Sequence, residues 1–187
     1  MKYQKYRICI LGSKGVGKTS YIQSKSIQHD NDYIFINPDP TKYQTKYTFT
    51  KTIGNNSLAK AIKIDVIDIP GISQEDHEKH NEELDKLLKP KIKQNEFDGF
   101  IVMFDVTENS TFEDAKFFIN MIKNINKPLI MIGNKVESSA RTVWCRQISK
   151  FYANNNIKYY ETSIKNKYEP RQDIINELIM MVIESSI

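Results

Sequence analysis

Cysteine, glycine and proline are scarce in this chain of 187 residues, which holds 2, 7 and 6 of them beside a single tryptophan. Cys9 and Cys145 stand in unrelated contexts, too few for a disulfide scaffold, and point to a reducing compartment. Cys9 lies inside an apolar run and is expected to be a small buried residue. So little glycine and proline excludes collagen-like and low-complexity chains. Long apolar runs are missing too: Leu178–Ile183 (LIMMVI) is too short to cross a bilayer. The opening MKYQKY leads into a short strand-like run rather than a secretory leader, so membrane-spanning and secreted classes are not expected. Charge of one sign is also lacking, because 27 Lys+Arg against 23 Asp+Glu leaves only +4. That excess is far from the clustered basicity of a nucleic-acid binder. At roughly 150 residues per domain, the expectation is one domain over residues 1–187, able to fold without disulfide or metal staples.

What is present is an alternation of strand-like and helix-like segments. Arg7–Leu11 is a short apolar run, and Thr19–Gln28 reads as a helix leaving a glycine-rich turn. Tyr43–Ile53 and Ala61–Ile69 alternate apolar with polar residues around Gly54-Asn55-Asn56, which predicts an antiparallel hairpin at a sheet edge. Gln74–Lys89 is charged, with leucines at helical spacing. Gly99–Val106 and Pro128–Gly133 are near-continuous apolar runs, as in strands buried on both faces. Between them Ser110–Ile125 has helical periodicity and opens on Ser-Thr-Phe-Glu, a capping-box pattern. Thr142–Asn155 predicts a helix, Lys158–Thr162 a short strand, and Asp173–Glu184 a last helix. The expected fold class is α/β, a mostly parallel six-stranded sheet with one antiparallel edge strand and helices on both faces.

Gly12-Ser13-Lys14-Gly15-Val16-Gly17-Lys18-Thr19 fits G-x-x-x-x-G-K-[ST], leaving a strand and opening a helix as that pattern requires. Glycines let backbone N–H groups close on phosphate oxygens, and the helix N-terminus adds a positive dipole end. Lys18 then reaches the β- and γ-phosphates, and the Thr19 hydroxyl ligates Mg²⁺. A glycine-rich turn without a ligand would give no reason for the Lys-Thr pair. In Asp65-Val66-Ile67-Asp68-Ile69-Pro70-Gly71, Asp68 ends an apolar strand where an Mg²⁺ partner is needed, and Gly71 offers an N–H to a γ-phosphate. Asn134-Lys135-Val136-Glu137 and Glu161-Thr162-Ser163-Ile164-Lys165 each follow a strand. They fall at carboxyl ends, where open α/β sheets bind ligands.

These motifs, with Asp39-Pro40-Thr41 between the first two, resemble in order a Ras-superfamily small GTPase from Arg7 to Glu184. Asp105-Val106-Thr107 with Thr111-Phe112 resembles Rab proteins, while Gly133–Val136 and Lys158–Glu161 resemble Ran as closely. The resemblance implies the P-loop NTPase (Ras-like) fold, with GTP or GDP and Mg²⁺ as ligands. It implies that Gly12 to Thr19 and Ser20 surround the phosphates, that Thr41 joins Thr19 and Asp68 at Mg²⁺, and that Gly71 senses the γ-phosphate. Asn134 and Glu137 would read the guanine edge, Lys135 and Lys165 flank the base, and Ser163 and Ile164 support the base loop. Tyr33 or Phe35 would stack on guanine.

Four departures bear on mechanism. Ile72 follows Gly71 where the family places a glutamine that orients the attacking water, so unassisted hydrolysis should be slow. Asp68-Ile69-Pro70-Gly71 also resembles the D-x-P-G of dynamin-type and translation-factor GTPases, which hydrolyse GTP by other means. Lys14 replaces a small residue: it could obstruct an activator's arginine, supply charge to the transferring phosphoryl group, or simply be solvated at the loop rim. Glu137 stands for the usual Asp, which predicts a retained but weaker guanine preference. The interval Gly71 to Gly99 is long, and its His77 and His80, beside Glu78 and Glu82, read as a metal pair or a solvated helix. Lys86, Lys89, Lys91 and Lys93 likewise read as a partner-binding run or a solvated face.

The functional expectation is a guanine-nucleotide switch that hydrolyses GTP slowly, with Lys18, Thr41, Gly71 and Lys14 as catalytic candidates, in Rab-type vesicle trafficking. The alternatives are a nearly hydrolysis-dead GTP-bound scaffold and a Ran-like soluble transport GTPase. A small-metabolite kinase would need an arginine-rich lid, and the chain has only Arg7, Arg141, Arg146 and Arg171. Expected partners are effector, exchange-factor and activating proteins at the two switches, not nucleic acid. The expected state is a cytoplasmic monomer with no transmembrane segment. The chain stops at Glu184-Ser185-Ser186-Ile187 without the lipidated cysteines of Rab tails, so it is either a piece of a longer chain or soluble as Ran is.

Overall fold

The computed structural model describes residues 4–26, 44–53, 60–71, 86, 90–91, 94, 96–168 and 173–185. Strand β1 (Gln4–Leu11) is followed by α1 (Lys18–Ser26), β2 (Thr45–Ile53), β3 (Lys60–Asp68) and β4 (Gly99–Asp105). Then come α2 (Asn109–Ile122), β5 (Leu129–Asn134), α3 (Cys145–Asn155), β6 (Lys158–Glu161) and α4 (Ile174–Glu184). The six strands form one sheet in the order β2-β3-β1-β4-β5-β6. β2 is the one antiparallel member, paired from Thr45↔Asp68 to Ile53↔Lys60, and the other pairings are parallel. The expected fold class and edge hairpin are therefore found.

Side chains alternate across each strand, so β1 sends Tyr6, Ile8 and Ile10 to one face and Cys9 and Leu11 to the other. The first face packs on Tyr21 and Ile22 of α1 and on Ile174, Ile175, Leu178, Ile179 and Val182 of α4. The second packs on Phe112, Ala115, Phe118, Ile119 and Ile122 of α2 and Ile148 of α3. β4 is buried at every residue, as its near-continuous apolar run predicts. Each fully buried Phe or Ile contributes about 1.5–3 kcal/mol, so the two layers fix the helices against the sheet. Among the described residues no helix is long and apolar enough to cross a membrane.

Two helix starts differ from expectation. α2 opens at Asn109 with Glu108 as N-cap and no side-chain cap, so the expected Ser110-Thr111-Phe112-Glu113 capping box does not form. The Thr111 hydroxyl is committed elsewhere: it accepts the Asp105 N–H at 2.9 Å and reaches the Glu108 carbonyl at 2.8 Å. α3 begins at Cys145 rather than Thr142 because the Thr142 and Val143 N–H groups both donate to the Val106 carbonyl, at 2.9 and 3.0 Å. Asp173 caps α4, accepting from the Ile175 and Asn176 N–H groups at 3.0 and 3.2 Å. The Gln74–Lys89 segment falls almost entirely outside the described residues.

Candidate nucleotide site

In this strand order, connections leave β1 and β4 in opposite directions, which opens a crevice at their carboxyl ends. The loop Gly12–Gly17 fills the β1 side of that crevice and runs into α1, whose first residue is Lys18. Lys18 is 6% exposed, and its Nζ donates to the carbonyls of Gly12 at 2.8 Å and Ser13 at 3.0 Å. Burial pulls its ammonium down to about 8, partly opposed by the Asp68 carboxylate. The loop thus holds a cation at its centre with two carbonyl dipoles and the nearby Asp68 carboxylate, and an incoming anion would favour its charged form. Ser20, one turn into the helix, is buried.

Thr19 Oγ1 lies 2.5 Å from Oδ2 of Asp68, the last residue of β3. A hydroxyl and a carboxylate meeting at the mouth of a phosphate loop are hard oxygen donors of the kind Mg²⁺ takes, usually from one or two protein groups plus phosphates. Gly71 follows three residues later and packs directly on the loop. A Cβ there would stand 2.4 Å from both N and Cα of Lys14 and 2.6 Å from the Ser13 carbonyl carbon, so only glycine fits.

The base-side motifs converge on the same loop. Asn134, buried at the end of β5, donates through Nδ2 to the Val16 carbonyl at 2.9 Å and accepts from Thr162 Oγ1 at 3.2 Å. Its amide lies so close to Gly17, whose φ is 101°, that a Cβ on Gly17 would be 2.5 Å from Nδ2 and 3.3 Å from Ile164 Cδ1. Lys135 adopts a left-handed φ of 67° and its Nζ pairs with Asp105 Oδ2 at 2.6 Å. Ser163 is buried and exchanges two 2.8 Å backbone bonds with Tyr168, while its Oγ accepts the Asn166 N–H at 3.1 Å. Lys165 is exposed on that loop. Glu137 keeps a buried Oε2 with no hydrogen-bond partner, an oxygen that fits a donor pair from a ligand.

Lys14 is exposed on the loop rim, and Gly15 has open space where a Cβ would stand. Thr41, Tyr33, Phe35, Ile72, His77, His80, Lys89 and Lys93 lie outside the described residues; Lys86 is exposed and Lys91 half-buried. Two participants were not anticipated from sequence. Asp105 places Lys135, and Asp114 of α2 accepts the Ser13 hydroxyl at 2.6 Å. Each is an acid in an otherwise apolar strand or helix face, and that misplacement is the signal that could have found them.

A phosphate loop after the first strand of a mostly parallel sheet, an acid ending the third, and an Asn-Lys pair ending the fifth define a P-loop nucleotide-binding α/β protein. More narrowly, the chain belongs to the Ras family, whose sequence model matches residues 7–184. It is thus a small GTP-binding switch of a family with general GTPase activity and guanine-nucleotide, regulator and effector binding.

Proposed function

We propose that this switch hydrolyses GTP slowly on its own and cycles between partners in Rab-type vesicle trafficking, as a cytoplasmic monomer with one G domain over 1–187. The observation that carries the site assignment is the seating of Gly71 on the Ser13–Lys14 peptide beside the Thr19–Asp68 pair. In this reading Lys18 gives up its carbonyl partners for β- and γ-phosphate oxygens, and the loop N–H groups from Lys14 to Ser20 close around them. Thr19, Asp68 and Thr41 would hold Mg²⁺, which would neutralise the developing phosphate charge. Gly71 offers its N–H to the γ-phosphate, and Asn134, Glu137, Lys135, Lys165, Ser163 and Ile164 hold the base. Ile72 cannot orient the attacking water, which supports the low rate.

A second reading, a nearly hydrolysis-dead GTP-bound scaffold, is favoured by Lys14 and Ile72 together. A Ran-like transport role is supported by Gly133–Val136 and Lys158–Glu161. Chromatography of the nucleotide released from freshly purified protein separates the turning-over switch from the scaffold. Mostly GDP supports the turning-over switch and mostly GTP the scaffold; absence of guanine nucleotide after reloading with either would overturn the site.

A further inference from the structure

The segment joining Ser13 to Lys14 makes two contacts. Gly71 packs on it, with its missing Cβ only 2.4 Å from Lys14 N and Cα. The Ser13 hydroxyl donates to Asp114 Oδ2 at 2.6 Å. Ser13 is 4% and Asp114 7% exposed, so the bond is shielded from water, and Asp114 sits on the α2 face that also buries Thr111, Ala115 and Phe118. A carboxylate behind a loop that receives polyphosphate repels the ligand. Its presence is accounted for if it fixes the loop, because a shielded bond to a charged acceptor is among the stronger kinds.

We propose that Asp114 is a positioning residue: by holding Ser13 it sets the Ser13–Lys14 peptide against which Gly71 closes, coupling α2 to the glycine that senses the γ-phosphate. The proposal rests on reading Gly12–Thr19 as the phosphate loop. Asp114 touches no nucleotide in this scheme and acts on the loop through Ser13. Loss of the bond should therefore weaken retention of a triphosphate, which needs Gly71 seated, more than retention of a diphosphate, which does not.

The test is stopped-flow dissociation of fluorescent GDP and of a fluorescent non-hydrolysable GTP analogue from the full chain with Mg²⁺. Wild type, Ser13→Ala, Ser13→Thr, Asp114→Asn and the Ser13→Ala/Asp114→Asn pair are compared. Ser13→Ala and Asp114→Asn should each release the triphosphate about tenfold faster, the scale of one lost charge-assisted hydrogen bond. GDP release from Asp114→Asn should change less than about twofold, the double variant should be no worse than either single one, and Ser13→Thr, which keeps the hydroxyl, should retain the triphosphate better than Ser13→Ala does. Equal acceleration of both nucleotides, additive effects, or slower release of both from Asp114→Asn would each overturn the proposal; the last would make Asp114 a mere repelling charge. If Ser13→Ala does not fold, Asp114→Asn decides it alone. A wild type that binds neither nucleotide would overturn the phosphate-loop reading itself, and the proposal with it.

Discussion

The Asn134 side-chain amide donates to the Val16 carbonyl at 2.9 Å, tying the end of β5 to the phosphate loop, while its oxygen accepts from Thr162 at 3.2 Å. One buried side chain therefore ties the phosphate half of the site to the base half. The contact also explains Gly17, since a side chain there would occupy the place of the Asn134 amide.

Asn134→Ala should for that reason destabilise the nucleotide-free protein and not only weaken base binding. The Val16 carbonyl and the Thr162 hydroxyl would each lose a buried partner, at a cost of about 1–3 kcal/mol. Urea unfolding of the nucleotide-free chain measures this directly. An unchanged midpoint would mean that Asn134 serves the base alone.

Lys18 makes nucleotide affinity depend on pH. In the free chain burial has pulled its amine down to about 8 from an ordinary 10.5. Phosphate oxygens favour the ammonium, so the bound form holds its proton to higher pH. Binding near pH 8.5 should take up roughly three-quarters of a proton, and affinity should fall as pH rises through 8. For folding the sign is the converse. The unfolded chain binds more protons at this residue between about 8 and 10.5, so the contribution of Lys18 to stability rises with pH across that window. Calorimetry of GDP binding in two buffers of different ionisation heat gives the proton count, and a count of zero at pH 8.5 would place Lys18 away from the phosphates.

Much of this arrangement was legible in the residues, for reasons that differ by element. β4 announced itself because a strand buried on both faces must be apolar along most of its length, and GFIVMF is, with only the closing Asp105 polar. The Thr19–Asp68 contact spans 49 residues of sequence yet was foreseeable, since each partner belongs to a motif with a known spacing to phosphate. The Ser13–Asp114 bond spans 101 residues and was not, because neither partner stands in a pattern that calls for the other. The start of α2 was misplaced for a related reason: Ser110-Thr111-Phe112-Glu113 has capping chemistry, but Asp105 and Glu108 take the Thr111 hydroxyl. Local patterns announce local bonds, and tertiary contacts reassign some of the same atoms.

Glu137 should set the base preference. Its buried, unpartnered Oε2 is an acceptor waiting for a donor, and the guanine N1 and N2 protons supply a pair where adenine has none. The extra methylene relative to aspartate displaces that acceptor by about 1 Å, which matters to buried polar recognition. GTP should displace bound GDP better than ATP does, and Glu137→Asp should widen the gap by about tenfold if the shorter arm restores the fit. Equal displacement by ATP and GTP from the native chain would remove Glu137 from the base site.

The hydrolysis rate is where Ile72 and Lys14 can be told apart. Isoleucine neither donates nor accepts a hydrogen bond, so Ile72→Gln should raise the single-turnover rate; water-positioning and charge-stabilising groups at such sites are each worth orders of magnitude. Lys14 is exposed on the loop rim, with Gly71 stacked on its backbone, so its side chain is free to swing toward a transferring phosphoryl group. If it lends charge there, Lys14→Gly slows hydrolysis; if it only obstructs an activating protein, Lys14→Gly leaves the intrinsic rate unchanged. A fast native rate that Lys14→Gly did not alter would remove both slow turnover and lysine assistance. The backbone contact under Gly71 should survive Lys14→Gly, which keeps the peptide and removes only the side chain, so a change in rate can be assigned to the amine.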